Sequence, residues 1–462
     1  LYARRQRQMC IRDRIKSLPK AMSVLTDPAD CGPVTLSLCQ DVQSEAYNYP
    51  ETFFEPKVWK IRRQPCDFDE LENVIKKINS SKNPLIIVGG GVKYSGAKTE
   101  LENLINSTGI PFAVTQAGKS SLDETNSKFV GSIGVTGSSV ANELAKKSDL
   151  VISVGSRLQD FTTGSNTLIS CEMISINVQN HDVVKHKSIS LLGDAKVSVK
   201  LILERINNFH ISKQYETEIN RLKNLWEADV VRVTSKTDKN SLPSDSEVIG
   251  AVNRNVPKDT IVIGAAGSMP GELHKLWQSG DVEGYHMEYG FSCMGYEIPA
   301  AIGVNLAEPD RPNVIFVGDG SYMMMNSELS TAVMMGISTT IIVTDNRGFG
   351  CINRLQKSTG SEPFNNLFKD SHHQKLPNID YVLHAKSLGA NAEKANSIEE
   401  LEDLVEKFIN RKEVNVIVID TDPDQSTEEG GTWWDVAIPE VSKNQNVKKA
   451  FEDYSIFRKK KN

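Results

Sequence analysis

The chain has 462 residues, 39% of them hydrophobic and 24% charged, with a formal net charge of −6. That length predicts two to three domains rather than one core. The acidic balance argues against a general affinity for nucleic acid, and no apolar run approaches the roughly 20 residues a membrane span needs.

In chain order, residues 1–14 are rich in Arg and Gln and hold no apolar stretch of a secretory signal, so they read as a leader foreign to the native protein. Residues 15–64 contain one strand-like run, 33–38, and then a connector bearing Tyr and Pro. One strand cannot fold alone, so this block reads as the end of a domain whose beginning is absent. Residues 65–208 alternate β-branched runs at 85–88, 111–114, 150–155 and 173–177 with helical stretches such as 97–106. Continuous apolar strands separated by helices predict a parallel sheet covered on both faces. The first run ends in Gly89-Gly90-Gly91, which does not complete G-x-G-x-x-G and reads as a structural turn. A charged helical linker over 209–240 leads into the last block, 241–462, with strands predicted at 260–263, 314–317, 340–344 and 414–419. The fold class is α/β, with tandem doubly wound parallel-sheet domains.

The seven cysteines are scattered, with no C-x-x-C pair, which argues against a disulfide framework or zinc site and for a cytoplasmic protein. His372-His373 lacks a third ligand and reads as a polar loop pair.

Ligands of such sheets bind beyond the carboxyl ends of strands. The run 314–317 leads into Gly318-Asp319-Gly320-Ser321, with a helix expected over 324–335, and the run ending at 344 leads into Asp345-Asn346-Arg347-Gly348. Asp319 and Asn346 are 27 residues apart, the span of one β-α-β crossover, which sets two strand ends side by side. A carboxylate, a carboxamide and a turn carbonyl can then converge as hard oxygen ligands suited to Mg²⁺. Gly318 and Gly320 let the backbone approach a phosphate closely. An isolated Gly-Asp-Gly would be a turn with a capping Asp; ligand-type residues on both strand ends favour the metal reading.

The run from Gly318 to Asn346 resembles the thiamine diphosphate (ThDP) binding motif shared by acetohydroxyacid synthases, pyruvate oxidases and benzoylformate decarboxylases. The stretch from Gly290 to Gly303 is similar to a second signature of that family. The resemblance implies that the Asp319 and Asn346 side chains and the Gly348 carbonyl bind Mg²⁺. It implies that Gly320 and Ser321, with Gly267 and Ser268, hold the diphosphate. Met294 would wedge beneath the thiazolium, and the carbonyl near Ser292 would receive the 4′-amino group.

More narrowly, segments at 40–47, 157–165, 348–356 and 430–436 resemble the trihydroxycyclohexane-1,2-dione hydrolases of myo-inositol catabolism. That resemblance implies a hydroxylated cyclic 1,2-diketone as substrate, cleaved with water between its carbonyl carbons to 5-deoxyglucuronate. Asn353, Arg354 and Gln356 are then candidates to bind substrate hydroxyls, the alternative being loop residues that face solvent or another subunit. Trp434, within Trp433-Trp434-Asp435, is a candidate to close the cleft or else part of a packed interface loop. The family also implies a homo-oligomer, at least a dimer, with the active centre shared between subunits. It further implies a pyrimidine-binding domain whose glutamate activates the cofactor. Glu45 and Glu51 follow that domain's final strand and do not qualify, so the chain is expected to be N-terminally truncated and inactive alone. The competing readings are an acetohydroxyacid synthase-like carboligase and a non-catalytic ThDP-binding scaffold.

Overall fold

The computed structural model describes residues 7–8, 13–236, 241–288 and 290–461, and its core is two six-stranded parallel sheets. Ahead of them, β1 (Arg7–Gln8) and β2 (Ser37–Leu38) form a separate two-stranded parallel ladder. The run at 33–38 thus yields two strand residues, both exposed. Of the expected leader, 1–6 and 9–12 lie outside the described residues.

The first sheet comprises β3 (Pro84–Val88), β4 (Phe112–Val114), β5 (Phe129–Ser132), β6 (Leu150–Val154), β7 (Glu172–Asn177) and β8 (Ile189–Leu192), in the order β5-β4-β3-β6-β7-β8. Both β3 and β6 are buried at every residue, as helices on both faces require. The edge strands β5 and β8 are only partly buried. Gly89 and Gly91 donate their N–H groups to Val154 O (2.8 Å) and Gly155 O (2.9 Å), so the triple glycine is a turn that seats the end of β3 against the end of β6.

The second sheet comprises β9 (Ile261–Gly264), β10 (Tyr285–Met287), β11 (Asn313–Gly318), β12 (Thr339–Asp345), β13 (Asn391–Ala395) and β14 (Val414–Asp420), in the order β10-β9-β11-β12-β14-β13. From β9 the chain runs out to β10 on one side and then crosses back past β9 to β11 on the other. This is a topological switch point, where the strand ends leave a crevice. Between the sheets runs a helix at Lys213–Val233, capped by Ser212, which buries Tyr215, Ile219, Leu222 and Trp226 along one stripe. Among the described residues no helix is long and apolar enough to cross a membrane.

Direct contacts join the sheets. Gln116 donates to Pro270 O (2.6 Å) and accepts from the Tyr285 hydroxyl (2.8 Å). His274 is fully buried, with Nδ1 2.9 Å from Thr136 Oγ1, and burial holds it down at about 3, hence neutral. The segment after β14 returns to the first sheet. Gly431 N–H donates to Gly137 O (2.7 Å), Asn142 donates to Gly431 O (2.9 Å), and Asp435 N–H donates to Ser165 Oγ (2.9 Å). Trp434 donates from Nε1 to Asp160 (2.9 Å) and packs on Phe161 with ring centroids 4.9 Å apart. Trp434→Ala removes a charge-assisted hydrogen bond and an aromatic pair, an expected loss of about 2 kcal/mol. Urea unfolding measures it, and a loss indistinguishable from zero would show that the segment is only draped on the surface.

Candidate active site

Three chain segments meet at the switch point: the loop after β9, the turn after β11 and the turn after β12. β11 and β12 pair in register from Val314↔Thr340 to Gly318↔Thr344, so the residues that follow them emerge side by side. Asp319 begins a single helical turn, Asp319–Tyr322, and is 1% exposed. The helix expected over 324–335 is instead broken, resuming at Glu328–Met334. The Asn326 side chain donates to Met323 O (2.8 Å), withdrawing that carbonyl from the helical ladder.

Asp319 Oδ2 accepts the N–H of Gly348 (2.9 Å), which ties the first turn to the second. Asp319 Oδ1 and Asn346 Oδ1 are both buried with no hydrogen-bond partner. Each such acceptor costs roughly 1–3 kcal/mol if left unsatisfied. Burial, and then the nearby Asp345 carboxylate, push Asp319 up to about 7 against the pull of the Gly348, Gly320 and Asn346 N–H groups. Asp345 is held in place by Arg347, whose N–H it accepts (3.0 Å) and whose guanidinium lies 3.4 Å away. The second turn needs glycine at 348, where φ is 144° and a Cβ would lie 2.3 Å from Asn366 O.

Among the described residues no group of three or more His, Cys, Asp or Glu side chains could hold a metal. The donor set here is instead one carboxylate, one carboxamide and neighbouring turn carbonyls. Those hard oxygens fit a Mg²⁺ that keeps water or phosphate ligands, and such an ion would satisfy the two orphaned acceptors.

Beside them lies a cavity of about 230 Å³. Gly267 and Ser268 line it from the β9 loop, Ser292 and Met294 from the signature loop, and Gly318, Gly320 and Ser321 from the β11 turn. Asn346 and Gly348 complete the wall, with Phe349, Cys351 and Ile352. The Phe349 ring covers Gly320 so closely that a Cβ there would lie 2.5 Å from it. A larger cleft of about 570 Å³ beside Trp277 holds no orphaned buried carboxylate oxygen among the described residues.

The remaining sequence candidates are not brought to this cavity. Arg354 donates to Pro423 O (2.6 Å), Gln356 accepts from Phe364 N–H (3.1 Å) and from the Asn366 amide (2.6 Å), and Asn353 is buried with its amide 3.5 Å from Asp424. They belong to the helix Gly350–Ser358, whose rotation turns Cys351 and Ile352 to the cavity and carries 353, 354 and 356 away from it. Trp434 lies against Asp160 and Phe161 in the other domain. Glu45 and Glu51 are both exposed.

Two buried carboxylates bonded to serines of the cavity wall escaped sequence reasoning. Asp245, fully buried and pushed up to about 6 by that burial, accepts the Ser268 hydroxyl proton. Glu297 accepts that of Ser321 (2.9 and 2.8 Å). A charged residue opening an otherwise apolar helix was the only visible signal for Glu297.

Comparison with known proteins agrees with this geometry. Residues 71–203 match the thiamine pyrophosphate enzyme central domain, and residues 265–419 match the C-terminal TPP binding domain. Fold and site together define a thiamine pyrophosphate (ThDP) enzyme. The chain is 40% identical to a 3D-(3,5/4)-trihydroxycyclohexane-1,2-dione hydrolase of Clostridium tetani, over 94% of this chain and 72% of that protein. It is 37% identical to the protein of that name in Geobacillus thermodenitrificans (95% and 73%) and 36% identical to that in Bacillus subtilis (95% and 72%). The chain belongs to this hydrolase family.

The raised Asp319 carboxyl has a pH signature. Without metal, its stabilising protonation is complete below about 3.8 and is lost as pH rises through about 7. Mg²⁺ needs the carboxylate and competes with the proton, so Mg²⁺ should raise the unfolding temperature more at about pH 8 than at about pH 5.5. Asp319→Asn should abolish that difference in a thermal unfolding series; an Mg²⁺ response equal at both pH values would exclude Asp319 as a ligand.

Proposed function

We propose that this chain carries the diphosphate- and metal-binding site of a ThDP- and Mg²⁺-dependent hydrolase. Its substrate is trihydroxycyclohexane-1,2-dione, cleaved between the two carbonyls to give 5-deoxyglucuronate in myo-inositol catabolism. The observation that carries the reading is the pair of orphaned oxygens, Asp319 Oδ1 and Asn346 Oδ1, beside a cavity in a chain whose relatives bear that hydrolase's name.

In this reading the Asp319 and Asn346 side chains and the Gly348 carbonyl hold Mg²⁺. Gly318, Gly320 and Ser321, with Gly267 and Ser268, surround the diphosphate. Met294 supports the thiazolium from below and Ser292 lies toward the aminopyrimidine. When bound, ThDP supplies an electron sink for breaking the bond between the carbonyl carbons. The chain's own contribution is to bind, orient and partly exclude water, since Phe349 and Ile352 give the cavity an apolar lip.

We also propose a homo-oligomer of at least two chains, in the cytoplasm. In favour of the first, Phe291 (91% exposed) and Met324 (52%) are large apolar side chains near the cavity that a second subunit would cover. The six described cysteines are all free, which suits a reducing compartment.

The decisive experiment supplies the full-length protein with ThDP and Mg²⁺ and offers the cyclic dione beside pyruvate. Ring-opened acid without acetolactate is expected; acetolactate without ring opening would establish a carboligase instead. In the same preparation Asp319→Ala should lose Mg²⁺-dependent retention of ThDP through gel filtration.

A further inference from the structure

Glu297 is 1% exposed, and no cation is among the groups that act on its carboxyl. An unpaired buried carboxylate is tolerated only where hydrogen bonds compensate its lost hydration. Here the compensation comes from two segments remote in sequence and from the loop that leads into Glu297 itself. Ser321 Oγ donates at 2.9 and 2.8 Å to its two oxygens, Gly295 N–H donates at 3.1 Å, and Ala266 N–H approaches at 3.4 Å. Gly295 N–H also donates to Ser321 Oγ at 2.8 Å, which closes a ring of contacts. Each tethered residue adjoins or forms the cavity wall: Ala266 precedes Gly267 and Ser268, Gly295 follows Met294, and Ser321 follows Gly320.

We infer that Glu297 is the positioning residue of the cofactor cradle, fixing the β9 loop, the Met294 loop and the Gly318–Ser321 turn to one another. A corollary is that the Ser321 hydroxyl, its proton given to Glu297, is not the group that donates to the diphosphate. The backbone N–H groups of that turn do so. The inference rests on the cavity being the ThDP site.

Calorimetric titration of ThDP in the presence of Mg²⁺ tests it on the wild type, E297Q and E297M. Glutamine with its amide oxygen toward Ala266 keeps that N–H paired, Gly295 N–H keeps its bond to Ser321 Oγ, and the amide NH2 donates to Ser321 Oγ, so the three segments stay tied. Methionine matches the volume but leaves buried donors unpaired. E297Q should bind ThDP within about threefold of the wild type and E297M about tenfold or more weakly, the scale expected for buried donors left without partners. Circular dichroism checks that both are folded. Wild-type affinity in E297M, or E297Q as weak as E297M, overturns the inference. Should E297M not fold, S321A takes its place: it cuts one tether, is expected to bind severalfold more weakly, and overturns the inference if its affinity is unchanged. Absence of ThDP binding by the wild type defeats the cofactor reading itself, and the inference with it.

Discussion

Two buried oxygen atoms without a donor organise the molecule's chemistry. Asp319 Oδ1 and Asn346 Oδ1 are withdrawn from water at the tips of neighbouring strands, and among the described residues neither has a partner in hydrogen-bonding geometry, although the Gly320 and Asn346 N–H groups lie near enough to pull on the Asp319 carboxyl. Removing hydration from a carboxylate is costly, and a second carboxylate at Asp345 adds to the cost. A divalent cation bound there would offset both costs together. Much of the surrounding architecture serves to keep these oxygens in place: the in-register pairing of β11 with β12, the left-handed turn at Arg347 and Gly348, and the bond from Gly348 back to Asp319.

The cavity's polar wall is unusual in how its protons are distributed. Ser268 and Ser321 both face an expected anion, yet each gives its hydroxyl proton to a buried carboxylate, Asp245 or Glu297. A serine in that state presents lone pairs rather than a donor. Attraction for a diphosphate would then come from a bound metal and the backbone, with the serines locking the loops that carry those N–H groups. Preorganisation of this kind lowers the ordering cost of binding without adding a direct contact.

The sequence was most readable where burial is complete. The central strands β3, β6, β11, β12 and β14 are dominated by buried Val, Ile and Leu, and the Asp319-to-Asn346 interval points to adjacent strand ends. Edge strands were harder. β5 and β8 are half-buried, β10 has three residues, and β13, Asn391–Ala395, alternates Asn, Glu and Lys with alanine. The direction of side chains after the metal turn was also hidden, because one residue's rotation on the Gly350–Ser358 helix exchanges cavity for scaffold. Cys351 and Ile352 reach the cavity where Asn353, Arg354 and Gln356 were expected. Glu297 stayed invisible because two of its partners, Ala266 and Ser321, lie in loops that only the folded sheet brings beside its own.

The segment after β14 carries a mechanical implication. The chain crosses between the sheets through the Lys213–Val233 helix and again when residues 431–435 dock on the first sheet. Two separate crossings, reinforced by Gln116 against Pro270, leave no single pivot about which the halves can swing. A swing of one sheet against the other about a single hinge would therefore have to break the contacts of residues 431–435 with Asn142 and Ser165.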